Sequence, residues 1–273
     1  MSENKYRMLV VDIDGTLIGE KRAISKRDKE TLKKAKARGV KVSLCTGRVN
    51  KACRGIIEEL ELDGYHIFYD GALVSDPAGD KEIYTRAIDK SIVRRMVEFI
   101  RSNDTYLELY SSQRFFAERR NWSDEIHERF FGVAPEIVSY DGIWERERII
   151  KAELVVRNTE EAVKAESFRK EFTESLRFSI ARSPSFPDIE FINILNPEAS
   201  KGEALMVLAE YLGVSLDEVM AIGDGSNDVP LLEAAGFSVA MANARDELKE
   251  IADYITLDAD SSGVAVAVEK FLL

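Results

Sequence analysis

The chain has 273 residues, is 45% hydrophobic and carries a net charge of −11. Such a length and apolar share suffice for a full core in one large or two modest lobes. The acidity excludes a surface built for nucleic acid or anionic membrane, because either needs concentrated Lys and Arg. No uncharged apolar run approaches the roughly 20 residues of a membrane span, and Met1 to Arg7 contains no stretch of signal-peptide length, so a soluble cytoplasmic protein is expected.

Met8 to Val11 predicts a buried strand that runs directly into Asp12-Ile13-Asp14-Gly15-Thr16. Strand side chains alternate faces, so Asp12 and Asp14 can look the same way, one carboxylate attacking phosphorus while the other moves a proton. Two solvated or helix-capping acids fit the isolated pentapeptide equally well. A crossover helix follows, with Ser25 and Asp28 as a capping-box-like pair, Leu32 and Ala35 on its apolar face and Gly39 at its stop. Val40 to Cys45 predicts the second strand, which ends in Thr46-Gly47-Arg48. A hydroxyl, a flexible backbone N–H and a guanidinium all donate to phosphate oxygens, although Thr46 serves as well as an N-cap. His66 to Tyr69 reads as a third strand.

From about Ile83 to Phe186 the rhythm changes. Helices near Lys90 to Arg101, Trp122 to Phe131 and Glu160 to Phe172 are set among strands near Tyr106 to Tyr110, Phe115 to Glu118, Ile150 to Arg157 and Phe178 to Arg182. Strand pairs without intervening helices predict antiparallel pairing in a separate α/β module. Its expected hinges are Asp76 to Asp80 and Ser183 to Asp188, which places residues 1–82 and 187–273 in one domain and 83–186 in another.

Beyond it, a helix starts at Ser200, with Glu203 as box partner and Leu205, Leu208 and Leu212 on one stripe. Lys201 lies in its first turn, where a helix N-terminus favours an anion. Val219 to Ile222 then leads into Gly223-Asp224-Gly225-Ser226-Asn227-Asp228, whose carboxylate and amide oxygens suit Mg²⁺ or a solvated polar turn. An EF-hand would need glycine at Val229 and glutamate at Ala235, and a dinucleotide fingerprint would need a third glycine at Asp228, so both fail. Phe237 to Met241 and Tyr254 to Thr256 complete the strands, and the alternation predicts a doubly wound parallel sheet, α/β in class. The two cysteines, Cys45 and Cys53, offer no disulfide framework. The two histidines, His66 and His127, show no partner pattern, so any reaction falls to carboxylates.

Each signal is modest alone, but four in this order on strand ends are specific. The chain resembles the haloacid dehalogenase superfamily of phosphatases, in the Cof-type subclass with an α/β cap inserted between the second and third motifs. Ile24-Ser25, Ala235-Gly236, Val239-Ala240-Met241 and Tyr254-Ile255-Thr256 also fall where such proteins carry similar residues. The resemblance implies a Rossmann-like core with a smaller inserted cap, and Mg²⁺-dependent hydrolysis of a small phosphorylated metabolite such as a sugar phosphate. It implies that Asp12 attacks and becomes an aspartyl phosphate while Asp14 carries the proton. Mg²⁺ would be held by the Asp12 carboxylate, the Asp14 backbone carbonyl and Asp224, with Asp228 as a further or outer acid. Thr46, Lys201 and the backbone near Gly47 would meet the phosphoryl oxygens, Arg48 would face phosphate or cap, and Asn227 would orient substrate or metal-bound groups.

One departure stands out. Asp70-Gly71-Ala72 occupies the place where relatives usually carry asparagine before glycine-alanine. The cap would close over the site and choose the leaving group, with Arg114, Arg119, Arg182, Ser183, Ser185 and Glu190 as candidates in it or at its hinge. A phosphotransferase or mutase using the same intermediate, or a phosphate-binding regulator without turnover, are the alternatives, and oligomeric state is not legible.

Overall fold

Five consecutive buried residues, Met8–Asp12, form the first strand, as expected of a parallel strand covered on both faces. The computed structural model describes residues 5–132, 134–183 and 186–273. The strands run in chain order as β1 (Met8–Asp12), β2 (Lys41–Cys45), β3 (His66–Phe68), β4 (Leu73–Ser75), β5 (Glu82–Thr85), β6 (Glu108–Tyr110) and β7 (Phe115–Ala117). They continue as β8 (Glu136–Ile137), β9 (Lys151–Val156), β10 (Arg177–Ser183), β11 (Phe186–Leu195), β12 (Val219–Gly223), β13 (Phe237–Ala240) and β14 (Tyr254–Ile255). The chain divides into two units: residues through Arg48 with Cys53–Tyr84 and Ser200–Leu273, and Val49–Ala52 with Thr85–Ala199.

The first unit is built on an eight-stranded sheet of order β14-β13-β12-β1-β2-β3-β4-β5. Strands β14 through β3 pair in parallel, joined by helical crossovers, in a Rossmann-like arrangement. Local capping sets the helix starts: Ser25 accepts from the Asp28 N–H, and Ser200 accepts from the Glu203 N–H, both at 3.0 Å. The buried Asp28 carboxylate also accepts from the Ala265 N–H at 2.7 Å, tying helix Lys26–Ala37 to helix Gly263–Phe271.

Two expectations change here. Strand β4 runs antiparallel to β3, and Asp76 to Lys81 is a hairpin turn leading to β5 rather than a hinge, because the Asp76 N–H bonds the Lys81 carbonyl. The second difference concerns residues 187–195, expected in the first domain. They lie in β11, which pairs antiparallel with β9 and β10, so the division falls at Ser200. The physical reason is alternation: Ile192 and Ile194 enter the second unit's core beside Ala152 and Leu154.

The second unit has a six-stranded sheet of order β10-β11-β9-β6-β7-β8. One sheet face meets Val93, Met96 and Val97 of helix Lys90–Ser102 and Ala165, Phe168 and Phe172 of helix Thr159–Phe172. Residues of opposite parity in β6 and β9, Glu108, Tyr110, Lys151 and Glu153, are also buried, although all are polar or charged. Phe115 and Phe116 of β7 are buried, and the side chains of Phe130 and Phe131 lie outside the described set. Among the described residues, no helix is long and apolar enough to cross a membrane.

Candidate active site

Parallel sheets bind ligands beyond the carboxyl ends of their strands, where the order reverses. In this sheet β1 lies between β2 and β12, and the reversal falls beside it. Asp12 ends β1, Thr46-Gly47-Arg48 follows β2, Asp70 follows β3, Asp224 to Asp228 follow β12 and Asn243 follows β13.

Lys201 is the hub. Its fully buried ammonium donates to Asp12 Oδ1 at 2.7 Å and to Asp228 Oδ1 at 2.6 Å. Asp228 Oδ2 accepts from the backbone N–H groups of Asp224 and Gly225, at 3.0 and 2.9 Å, so this acid shapes its own loop. Asp224 Oδ1 accepts from the Thr16 hydroxyl at 2.8 Å. Gly15, at φ +89°, cannot carry a side chain here, since a Cβ would lie 2.1 Å from Asp224 Oδ2.

Asp14 takes a different partner. Strand β1 ends at Asp12, and the chain folds back so that the Gly15 N–H bonds the Ile18 carbonyl. Asp14 is held by the Arg48 fork, with Nε 2.8 Å from Oδ2 and Nη2 bonding Oδ1. Its side chain remains 57% exposed, so this is the wet edge of the site. Thr46 is buried and its hydroxyl accepts from the Arg48 N–H at 3.1 Å. Asp70 accepts from the Asn227 carboxamide at 2.8 Å, and its backbone N–H bonds the Thr46 carbonyl, joining the loops after β2, β3 and β12. A Cβ on Gly47 would lie 2.9 Å from Asp70 Oδ1, so the departure from asparagine abuts the Thr46 loop.

Charge is the outstanding feature of this group. Burial, then Asp228, pushes the Asp12 carboxyl well above its ordinary range, against the pull of Lys201. Asp224 is pushed up to about 6, chiefly by burial. Burial disfavours the Lys201 ammonium, but Asp12 and Asp228 outweigh it and hold its pKa well above normal. Three carboxylates therefore share one buried cation, and positive charge is in deficit. One oxygen from each of Asp12, Asp224 and Asp228 lies within 4.8 Å of the others. An all-oxygen, under-compensated donor set of this kind fits Mg²⁺.

Of the residues singled out by sequence, the fold thus brings Asp12, Lys201, Asp224 and Asp228 into one knot, pairs Asp14 with Arg48, and sets Asn227 on Asp70. Thr16, named only as part of the opening pentapeptide, and Asn243 were given no role in the site. Asn243 donates to the Gly15 carbonyl at 2.8 Å and lies 3.4 Å from Asp224 Oδ2. Its position just past β13 was the available signal. Of the candidates in the second unit, Arg114 is engaged by Glu136 and Glu147 and Arg119 by Asp104. Ser185 lies outside the described residues, as do the side chains of Arg182 and Ser183. His66 is structural: its Nδ1 accepts from the Leu44 N–H at 3.1 Å, and burial pulls its pKa down to about 4.

Residues 9–268 match the family model of the haloacid dehalogenase-like hydrolases, and the chain belongs to that family. It is an enzyme of the hydrolase class. The Bacillus subtilis protein YxeH is 30% identical over 98% of this chain and 99% of its own length. The phosphatase YwpJ of the same organism is 29% identical over 97% of this chain and all of its own. Among solved structures, the subclass IIB sugar phosphatase BT4131 superposes with a TM-score of 0.77 at 26% identity, covering 98% of this chain and 100% of that one.

Proposed function

We propose that the enzyme is a Mg²⁺-dependent phosphatase that hydrolyses a small phosphorylated metabolite, a sugar phosphate or similar, through an aspartyl phosphate on Asp12. The observation that carries this reading is the buried Lys201 bridge between Asp12 and Asp228, with Asp224 beside it at the strand ends. The substrate class follows the sugar phosphatase BT4131, whose fold this chain shares.

In the proposed reaction an Asp12 oxygen attacks phosphorus, the ester P–O bond breaks and the leaving alkoxide takes a proton from Asp14. Water then gives its proton to Asp14 and attacks the same phosphorus, so that the acyl-phosphate P–O bond breaks and Asp12 is regenerated. Asp12, Asp224 and the Asp14 carbonyl would hold Mg²⁺, with Asp228 behind them. The bound cation supplies positive charge that keeps Asp12 ionised and offsets charge on the phosphoryl oxygens. Lys201 holds Asp12 in place and adds a fixed ammonium. Thr46, the backbone at Gly47 and Asn227 donate to the phosphoryl group or its substrate. Arg48 has to release Asp14 for proton transfer, and an incoming phosphate dianion is the natural competitor for its fork.

The test is inorganic-phosphate release from a broad panel of phosphorylated metabolites, with Mg²⁺ and with EDTA. Release that EDTA stops and Mg²⁺ restores is expected. Transfer to a sugar acceptor outrunning release would make the enzyme a phosphotransferase, and indifference to EDTA would remove the metal.

A further inference from the structure

A second knot of buried charge lies in the second unit, and the reaction above does not use it. In the antiparallel register of β6 and β9, Glu108 is the direct cross-strand partner of Glu153, and Tyr110 that of Lys151. Like charges placed opposite each other destabilise a sheet, and both carboxylates are buried. The chain supplies compensation from two directions. Lys151 Nζ donates to Glu153 Oε2 at 2.5 Å. The buried His127 begins the widened helical turn His127–Phe131 that continues helix Ser123–Ile126, and its Nε2 lies 3.0 Å from Glu108 Oε2 and 3.7 Å from Glu153 Oε1.

Among the described residues, neutral side chains complete the group. Ser123 donates to Glu108 Oε1 at 2.9 Å, and the Tyr110 hydroxyl lies 2.9 Å from Glu108 and 3.4 Å from Glu153. The rings of Phe115 and Phe191 approach the imidazole edge-on from β7 and β11. One turn back, Asp124 is taken by the Tyr106 hydroxyl and by Arg120.

We propose that His127 is a proton-operated lock. As imidazolium it bridges the opposed carboxylates and holds residues 123–131 on β6 and β9, and as neutral imidazole it lets that segment open. Charge counting favours a proton over a metal ion. Two carboxylates with Lys⁺ and His⁺ sum to zero, whereas a divalent cation in place of the histidine proton would leave the buried Lys151 charge uncompensated. Burial alone would depress the imidazole's pKa, but Glu108 and then Glu153 hold it above its ordinary value. Such a group contributes in full below its unfolded pKa of about 6.5 and loses that contribution as pH climbs through the higher folded value. The lock therefore weakens in the alkaline direction.

Ring-nitrogen NMR on the full chain tests the protonation, and amide hydrogen exchange corrected for intrinsic rates tests the opening. His127 should remain imidazolium at pH 7. Protection of the amides in residues 123–131 should fall as pH rises from 6.5 to 9, while β1 keeps its own. His127→Gln should abolish that fall, and Glu153→Gln should move the imidazole midpoint to lower pH. A ring neutral at pH 7, or the same pH dependence in His127→Gln, overturns the lock. Protection raised by Zn²⁺ or Mn²⁺ in the wild type alone would mark a metal site and overturn it as well.

Discussion

Each unit of this chain buries carboxylates around an ammonium, but the two groups are balanced differently. In the first unit Asp12 and Asp228 bond Lys201, and Asp224, bonded by the Thr16 hydroxyl, lies beside them. In the second, Glu108 and Glu153 face both Lys151 and His127. The first is short of positive charge, and the raised pKa values of Asp12 and Asp224 register that shortage. A deficit suits the proposed site for a dication and a phosphate, whereas a balanced group suits a structural role. Similar ingredients thus separate a site from a clasp by charge count.

The largest effect should come from removing the proposed nucleophile. Asp12→Asn should lower turnover by at least about 10³-fold, the scale set by deleting a nucleophile that acts within a unit. In metal-free protein it should not lower the urea midpoint, because an amide can still accept from Lys201 and one poorly compensated charge is gone. Phosphate-release assays and urea titrations read both halves. Turnover near wild type would remove the nucleophile assignment, and a large drop in midpoint would contradict the deficit.

The complementary break lies in the second unit. Lys151→Met strips Glu153 of its ammonium inside the protein, and breaking such a pair costs about 3–5 kcal/mol. Urea unfolding should show the loss while activity per folded molecule is less affected. A variant as stable as the parent would mean the second group is no clasp.

A pH titration sharpens the contrast. Asp224, raised to about 6, holds more protons in the folded than in the unfolded chain between roughly pH 4 and 6, so its contribution to stability falls as pH rises through that window. In EDTA, the urea midpoint of the wild type should therefore decline from pH 4.5 to 7 more steeply than that of Asp224→Asn. Excess Mg²⁺ should flatten the difference by compensating the ionised form. Equal slopes in EDTA would show that the acid is not strained.

The unequal legibility of the two groups has a physical reason. Helix starts at Ser25 and Ser200 were readable because the cap and its N–H partner lie three residues apart. Asp12, Lys201 and Asp224 were readable because strand-end loops of a parallel sheet converge by topology. The pairing of Asp14 with Arg48 was not, since it depends on where β1 stops. Nor was the clasp: His127, Glu108 and Glu153 come from three elements whose meeting depends on strand register, and no local spacing encodes it. Residues 187–195 were placed in the other domain because the Pro-containing run Ser183 to Asp188 reads as a boundary, and only the pairing of β11 with β9 assigns them.

The smallest effect tests where the first group ends. Arg48 and Asp14 form a bidentate pair, yet their side chains are 24% and 57% exposed. A pair this wet contributes at most about 1 kcal/mol to stability, since water and salt screen it. Arg48→Lys keeps the charge and loses the planar fork, so the melting temperature should stay within error and turnover should fall by about tenfold or less. Steady-state kinetics at saturating substrate give the answer. A fall as deep as that of Asp12→Asn would move Arg48 from a clamp on the proton carrier into the group that meets the transferring phosphoryl, and the deficit of positive charge around Asp12 would then be smaller than Lys201 alone implies.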